Sequence, residues 1–268
     1  MTEMELKLTG GRIVSAALKD GVLKIMVEET KEDIKVKGNA KVLETEVVHE
    51  DMTYDQFILV PASKLSFTDK FMVRHTPKSD EEKAFKELLT EVIKSGVSDF
   101  YRPKLDPSLD KQGKICYQAG LKPAVGKSYN WWEKNAKKFC PDRKSRLGTK
   151  SEYVAFLGVL IKKLVESGWG VDLAWYAVCN SSGYLGHYYN SIDALHNFEP
   201  TGSREICGFC DLANAFKILT DDKENSGFWV AAGYYYSFGR DYPLAGLYRS
   251  SSRDDGSDYG VGWLVLEK

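Results

Sequence analysis

The sequence predicts an α+β protein in two parts: a smaller β-rich N-terminal domain with one helix, then a larger domain of mixed helix and strand. Three observations carry this. Residues 1–75 read as a run of short strand-like segments separated by Gly and Asn turns. The middle of the chain holds helical periodicities with capping residues in front of them. The last stretch, Phe228 to Lys268, sets two short apolar β-forming flanks around a long polar-aromatic segment.

Taken in order, Arg12–Leu18 and Val22–Val27 flank Lys19-Asp20-Gly21, a hairpin signal. Ile34–Lys37 and Val42–Val48 flank Gly38-Asn39, a second turn pair. Phe57–Val60 and Phe71–Val73 add two strand candidates. Ser79 stands three residues before Glu82, a capping box that opens a helix over 79–95, with Phe85, Leu88, Leu89, Val92 and Ile93 on its apolar side and Gly96 as its stop. This helix is expected to close a first domain, residues 1–98. Residues 99–126, with Pro103, Pro107, Pro123 and three glycines, read as irregular connecting chain. The second domain then covers 127–268. Within it, Asn130–Phe139 predicts a helix with Trp131, Trp132, Ala136 and Phe139 inward. Thr149 and Glu152 form a second capping box before a stripe of Tyr153, Leu157, Leu160, Ile161 and Leu164 that ends at Gly168. Residues 169–198 mix Trp175, Tyr176, Tyr184, Tyr188 and Tyr189 with Ser and Gly, and read as strand plus long loop.

Composition excludes several classes of function. At 268 residues, 43% hydrophobic and 28% charged, the chain has material for a real core. A net charge of −1 gives no general electrostatic reason to bind nucleic acid or an anionic membrane. No apolar run is long enough to span a bilayer. The start, MTEMELKLTGG, is acidic and lacks an apolar segment, so no signal peptide is expected. Five scattered cysteines are expected to be reduced thiols of a protein made in a cytosol. His49 and His75 are isolated and carry no evident chemistry.

The end of the chain has the composition of a contact surface; the alternative is an ordinary Tyr-rich surface loop of a non-variable structural protein. Tyr234, Tyr235, Tyr236, Tyr242, Tyr248 and Tyr259 are interleaved with Ser, Gly, Asp and Arg, and no lysine occurs between Lys223 and Lys268. Tyr offers large contact area at small entropic cost, Ser and Gly adapt, and Lys is depleted at such surfaces. The flanks Trp229, Val230, Ala231, Ala232 and Val261, Trp263, Val265, Leu266 read as buried strands. From Tyr234 to Gly262 there is also no Glu, Gln, Met or Trp. With Lys, these are the residue types that no codon ending in C encodes. That is the residue set left when AAC codons are randomised at their first two bases.

These residues, AGLYRSSSRDDGSDYGVGW above all, resemble the end of the variable proteins of diversity-generating retroelements. Ala232 and Gly233 match the start of that family's terminal pattern, Ala245, Gly246 and Leu247 its inner step, and Gly262 and Trp263 its close. The resemblance implies a C-type-lectin-like fold related to formylglycine-generating enzymes. Arg146, Leu147, Thr149, Glu152 and Tyr153 match a second signature of that fold, with Gly148 where a proline is usual. Gly208, Asp211 and Asn214 match a third, with one residue missing and Lys217 where an acid is usual, which counts against the family's metal site.

By the same resemblance, the contact residues expected are Tyr234, Tyr235, Tyr236, Ser237, Phe238, Arg240, Asp241, Tyr242, Tyr248, Ser250, Ser252, Arg253, Asp254, Asp258 and Tyr259. The implied partners are a host-surface protein or glycan and further copies of the chain in a homo-oligomer within a virion, the implied setting a phage tail or displayed surface protein, and residues 1–98 the attachment module. Catalysis, a metal and a cofactor are not expected. The copper-binding cysteine pair of formylglycine-generating enzymes has no counterpart after Cys210. The three-histidine iron site of their relatives has none either, since only His187 and His196 follow residue 100. Cys207 and Cys210 form a lone CxxC without a second ligand pair, and are expected to be structural.

Overall fold

The computed structural model describes residues 6–7, 11–19, 22–29, 35–36, 57–180, 182–185, 201–202, 205–212, 217–223, 229–233, 244–245, 247–250 and 260–268. The chain divides into two units, Met1–Gln56 and Phe57–Lys268. In the first, β1 (Leu6–Lys7) pairs antiparallel with β4 (Lys35–Val36), and β2 (Gly11–Lys19) with β3 (Val22–Glu29). The β2–β3 hairpin is the one its turn sequence predicts, with Lys19 opposite Val22 and a register irregularity between Ile13 and Ser15. The second expected hairpin, around Gly38-Asn39, lies outside the described residues.

The second unit begins with β5 (Phe57–Val60) and a single turn of helix, α1 (Lys70–Val73). Phe71–Val73 is therefore helical where a strand was expected, because Phe71 and Met72 are buried on one side of a turn rather than alternating. Next comes α2 (Asp80–Ser95), whose N-cap Ser79 accepts from the Glu82 N–H. Glu82 does not reach back to Ser79: its carboxylate accepts the Lys78 N–H at 2.7 Å instead. Gly96 stops the helix at φ +71°.

The expected domain boundary near 98 is corrected here. Strand β6 (Phe100–Pro103) pairs with β5 on one side and with the last strand, β14 (Leu264–Glu267), on the other. Helix α2 shares one core with α4 (Lys150–Glu166). An interface this apolar does not separate domains. Nor is 99–126 a linker. It carries β7 (Ser108–Leu109) and β8 (Ile115–Cys116), and buries Leu105, Ile115, Tyr117 and Ala124 in a second core. Its glycines, Gly113, Gly120 and Gly126, take φ of +75°, +85° and +73° with open space around them, so they make the turns between its buried residues.

Helix α3 (Tyr129–Phe139) starts at the cap Ser128 and buries Trp132 and Ala136, as its periodicity predicts. Strand β9 (Arg146–Leu147) follows, and then α4, with both halves of the Thr149–Glu152 capping box formed. Residues 171–179 are a helix, α5 (Val171–Cys179), not the expected strand. Ala174, Trp175, Val178 and Cys179 recur at helical spacing and are fully buried, while Leu173 and Tyr176 face solvent. The crowd of aromatics hid that period in the sequence.

The remaining strands are β10 (Lys217–Lys223), β11 (Trp229–Gly233), β12 (Leu247–Ser250) and β13 (Gly260–Gly262). They form a sheet in the order β12-β11-β10-β13, and a second sheet runs β5-β6-β14-β9. The unit is thus α+β. Residues 261–265 wall off the two cores from each other: Trp263 and Val265 enter the larger one, Val261 and Leu264 the smaller.

Candidate functional site

The Tyr-rich stretch is hung from the four-stranded sheet. Strand β11 runs antiparallel to β10, with Ile218 opposite Ala232 and Lys217 opposite Gly233. Strand β13 runs parallel to β10 on its other side, with Lys217 opposite Gly260. The chain therefore leaves at Gly233 and comes back at Gly260 at the same end of β10. Between these points it adds a strand of its own. Leu247 stands opposite Ala232 and Ser250 opposite Trp229, so β12 extends the sheet beyond β11. By composition 234–259 reads as one excursion. It is in fact divided by this strand, which Leu-Tyr-Arg-Ser does not announce by composition.

A second anchor lies just before β12. Leu244 is buried, its carbonyl accepts the Tyr153 hydroxyl at 3.1 Å, and the Ala245 N–H donates to the Val178 carbonyl at 3.1 Å. The inner Ala-Gly-Leu step is thus tied to α4 through Tyr153 and to the end of α5 through Val178. The burial that lifts the Tyr153 hydroxyl far above its ordinary pKa keeps it a donor.

The close of the stretch is held by shape. A Cβ on Gly262 would stand 2.6 Å from the Trp132 ring and 2.9 Å from Leu147, so only glycine lets α3 lie on β13. Trp263 packs between Phe100, Tyr153 and Phe156, with ring centroids 5.8, 5.3 and 6.3 Å away. Its carbonyl accepts the Gly148 N–H at 2.7 Å. A Cβ on Gly148 would meet the Trp263 ring at 2.3 Å, which explains why glycine occupies this position rather than proline.

The residues around Gly148 make that turn rigid. Arg146 binds Glu152 through two parallel hydrogen bonds of 2.8 and 2.7 Å, and Glu152 also accepts the Thr149 N–H at 2.8 Å. The Glu152 bond raises the Arg146 guanidinium above its usual pKa. The Gly148 carbonyl accepts the Asp221 N–H at 2.9 Å, and the Asp221 carboxylate accepts the Tyr129 hydroxyl at 2.7 Å, fastening β10 to α3. The five motif residues Arg146, Leu147, Thr149, Glu152 and Tyr153 therefore form a rigid turn that meets Leu244, Trp263 and β14.

The third motif is also structural. Ile206 and Phe209 bridge across a two-residue turn in which Cys207 and Gly208 take φ +53° and +90°. The Asp211 carboxylate, buried, accepts the N–H groups of Asp106 and Gly202 at 3.0 Å. The two cysteines face different neighbours: Cys207 lies by Ser167 and Lys163, Cys210 by Asp211 and Lys104. Burial pushes both thiols up, away from nucleophilic or ligating character. Beneath them Arg102 is buried against the rings of Phe156 and Phe209, 4.1 and 5.0 Å from their centroids. Burial lowers its pKa, opposed by the charges of Asp106 and Asp211. Neither this guanidinium nor the stack of His75 on Trp175 was found from sequence, where a lone Arg or His carries no signal.

Of the expected contact residues, Tyr248 and Ser250 lie on β12, opposite Ala231 and Trp229. Tyr234, Tyr235, Tyr236, Ser237, Phe238, Arg240, Asp241, Tyr242, Ser252, Arg253, Asp254, Asp258 and Tyr259 lie outside the described residues. So do His187 and His196. Among the described residues no group of three His, Cys, Asp or Glu side chains is placed to hold a metal ion. Comparison with family models, with curated proteins and with solved structures finds no match to the chain.

Proposed function

We infer that this is a binding protein that presents a diversified Tyr/Ser/Gly-rich surface to a host-surface protein or glycan, on a C-type-lectin-like scaffold carried by a phage tail or displayed on a surface. One observation carries the reading. Described positions that match the family's constant residues are held by the scaffold: Ala232 and Gly233 pair with Ile218 and Lys217 of β10, Ala245 is bonded to Val178, Gly262 lies under Trp132 and Trp263 sits among three aromatic rings. The residues between them are those whose types fit codons ending in C. Anchors and variable positions thus alternate along the chain. In this reading the side chains between anchors change identity, while Tyr supplies contact area and Arg240, Asp241, Arg253, Asp254 and Asp258 supply charge complementarity.

Binding is favoured over catalysis because the motif residues act on one another. Glu152 is used up by Arg146 and the helix cap, Asp211 by two backbone N–H groups, and Tyr153 by Leu244. The deciding experiment is at the gene. Codons for Tyr234, Tyr235, Ser237, Arg240, Asp241, Tyr242, Tyr248, Ser250, Asp254, Asp258 and Tyr259 should end mostly in C. A near-identical repeat with adenines at those codons should lie beside a reverse transcriptase gene. Ordinary codon usage with no such repeat refutes diversification.

A further inference from the structure

His75 joins the start of α2 to α5, and its surroundings offer one ring two sets of partners. The side chain is fully enclosed and lies flat on Trp175, centroids 4.1 Å apart at an interplanar angle of 8°. Trp175 is itself fixed: its indole N–H donates to the Phe71 carbonyl at 3.0 Å, and Phe85 meets it edge-on. Each imidazole nitrogen also faces a carboxylate. Nε2 is 3.3 Å from Glu82 Oε2, and Nδ1 is 3.5 Å from Asp172 Oδ1. Neither contact is aligned as a hydrogen bond. The stack, not the carboxylates, sets where the ring sits.

A neutral imidazole has one donor and one acceptor, and only the imidazolium has two donors. Two flanking carboxylates therefore suit the charged ring, while the unaligned contacts leave the neutral ring held by its stack on Trp175. The other charged groups facing this site are on the same elements. From α2, the Lys86 ammonium donates to the His75 carbonyl at 2.6 Å and the Met72 carbonyl at 3.2 Å. From the turn before α2, Lys78 gives its N–H to Glu82 and its ammonium to Asp172, each at 2.7 Å. From α5 come Asp172 and Cys179, whose thiol is held neutral by burial beside Glu82. Burial, the largest influence, lowers the His75 imidazole below its ordinary value, opposed by Glu82 and Asp172. The ring therefore takes its proton less readily than a free imidazole.

We propose that His75 is an acid-operated latch between α2 and α5: on taking up a proton the ring gives up its stack on Trp175 and turns its two N–H groups onto Glu82 and Asp172. Lys78 then loses its share of Asp172, and the first turn of α5 is drawn toward Glu82. The other end of α5 carries the Val178 carbonyl that holds Ala245. The movement is thereby delivered to the base of the Tyr-rich stretch.

The test uses the full chain with ¹⁵N-labelled histidine, titrated from neutral to about pH 4.5. Ring-nitrogen resonances, tryptophan emission and far-UV circular dichroism are followed together. The His75 resonances should pass reversibly from the neutral to the imidazolium pattern below the ordinary histidine range. Tryptophan emission should change in parallel while the far-UV signal stays flat. His75→Asn should abolish the emission change, and Asp172→Asn should move the transition to lower pH. The latch is overturned by a His75 ring that stays neutral until the far-UV signal collapses, by titration without any change in emission, or by an emission change that persists in His75→Asn. The wild-type titration alone decides it should His75→Asn fail to fold.

Discussion

Replacing Gly148 by Ala tests how the last strand seats against the rigid turn. The added methyl would stand 2.3 Å from Cε3 and 2.4 Å from Cζ3 of Trp263, and 2.8 Å from Cγ1 of Val265. None of these atoms yields easily. Trp263 is 4% exposed and wedged among three aromatic rings, and Val265 is fully buried. The Gly148 backbone is pinned on both sides, its N–H to Trp263 and its carbonyl to Asp221. Overpacking a core commonly costs about 1–3 kcal/mol, and three contacts below van der Waals range put this change near ~3 kcal/mol. Trp263→Ala empties the same space and should cost about 3–5 kcal/mol on its own. In the double variant the new methyl enters the vacated volume, so its added cost should drop below ~1 kcal/mol. The coupling is then about 2 kcal/mol, well beyond the ~0.5 kcal/mol scatter of independent sites. Urea unfolding of the wild type, both single variants and the double variant, followed by far-UV circular dichroism, measures it. Trp263→Leu replaces Trp263→Ala if the latter shows no cooperative transition, with the same sign of coupling. Two effects that simply add would refute the packing argument.

Three further predictions follow from the same geometry. Tyr153→Phe keeps the ring against Trp263 but leaves the buried Leu244 carbonyl without its donor, so stability should fall by about 1–2 kcal/mol and amide exchange at Ala245 should quicken. Glu152→Ala removes half of the capping box and the partner of Arg146 together, and should lower the urea midpoint by the equivalent of about 2–3 kcal/mol. Because burial depresses the His75 pKa in the fold, the unfolded chain binds the proton more readily. The contribution of neutral His75 is therefore complete above its unfolded value of 6.5 and declines as pH falls through the lowered folded value, and His75→Asn should flatten that part of the stability–pH curve.

What was legible in the sequence was what local rules decide. Ser79 and Thr149 mark the starts of α2 and α4, Gly96 and Gly168 their ends, and Lys19-Asp20-Gly21 the first hairpin, because capping and turns depend on neighbours in the chain. The burial of Val261, Trp263 and Val265 was legible too, as an apolar strand at the edge of a polar stretch. The domain boundary was not. It was placed at a cluster of prolines and glycines, yet Pro103 sits in a strand of the central sheet opposite Phe57. Nothing in 99–126 betrays that β14 comes from more than 150 residues away to pair with β6. Of the site, the anchors at Ala245 and Gly262 were legible only through the family resemblance. Their physical cause, a tyrosine hydroxyl from α4 and a tryptophan ring from α3, lies in long-range contacts.

The place of the last strand turns folding into a check on the reading frame. Val261, Trp263, Leu264, Val265 and Leu266 follow the Tyr-rich stretch in the chain, yet they complete both cores and bridge β6 to β9. A stop codon or frameshift anywhere from Tyr234 to Tyr259 deletes all of them. The product then has neither the wall between its cores nor the strand that joins the two sides of its central sheet. Such a chain lacks apolar surface that both cores need and should not reach a stable native state. A folded product therefore reports that the chain has been read through to its last strand.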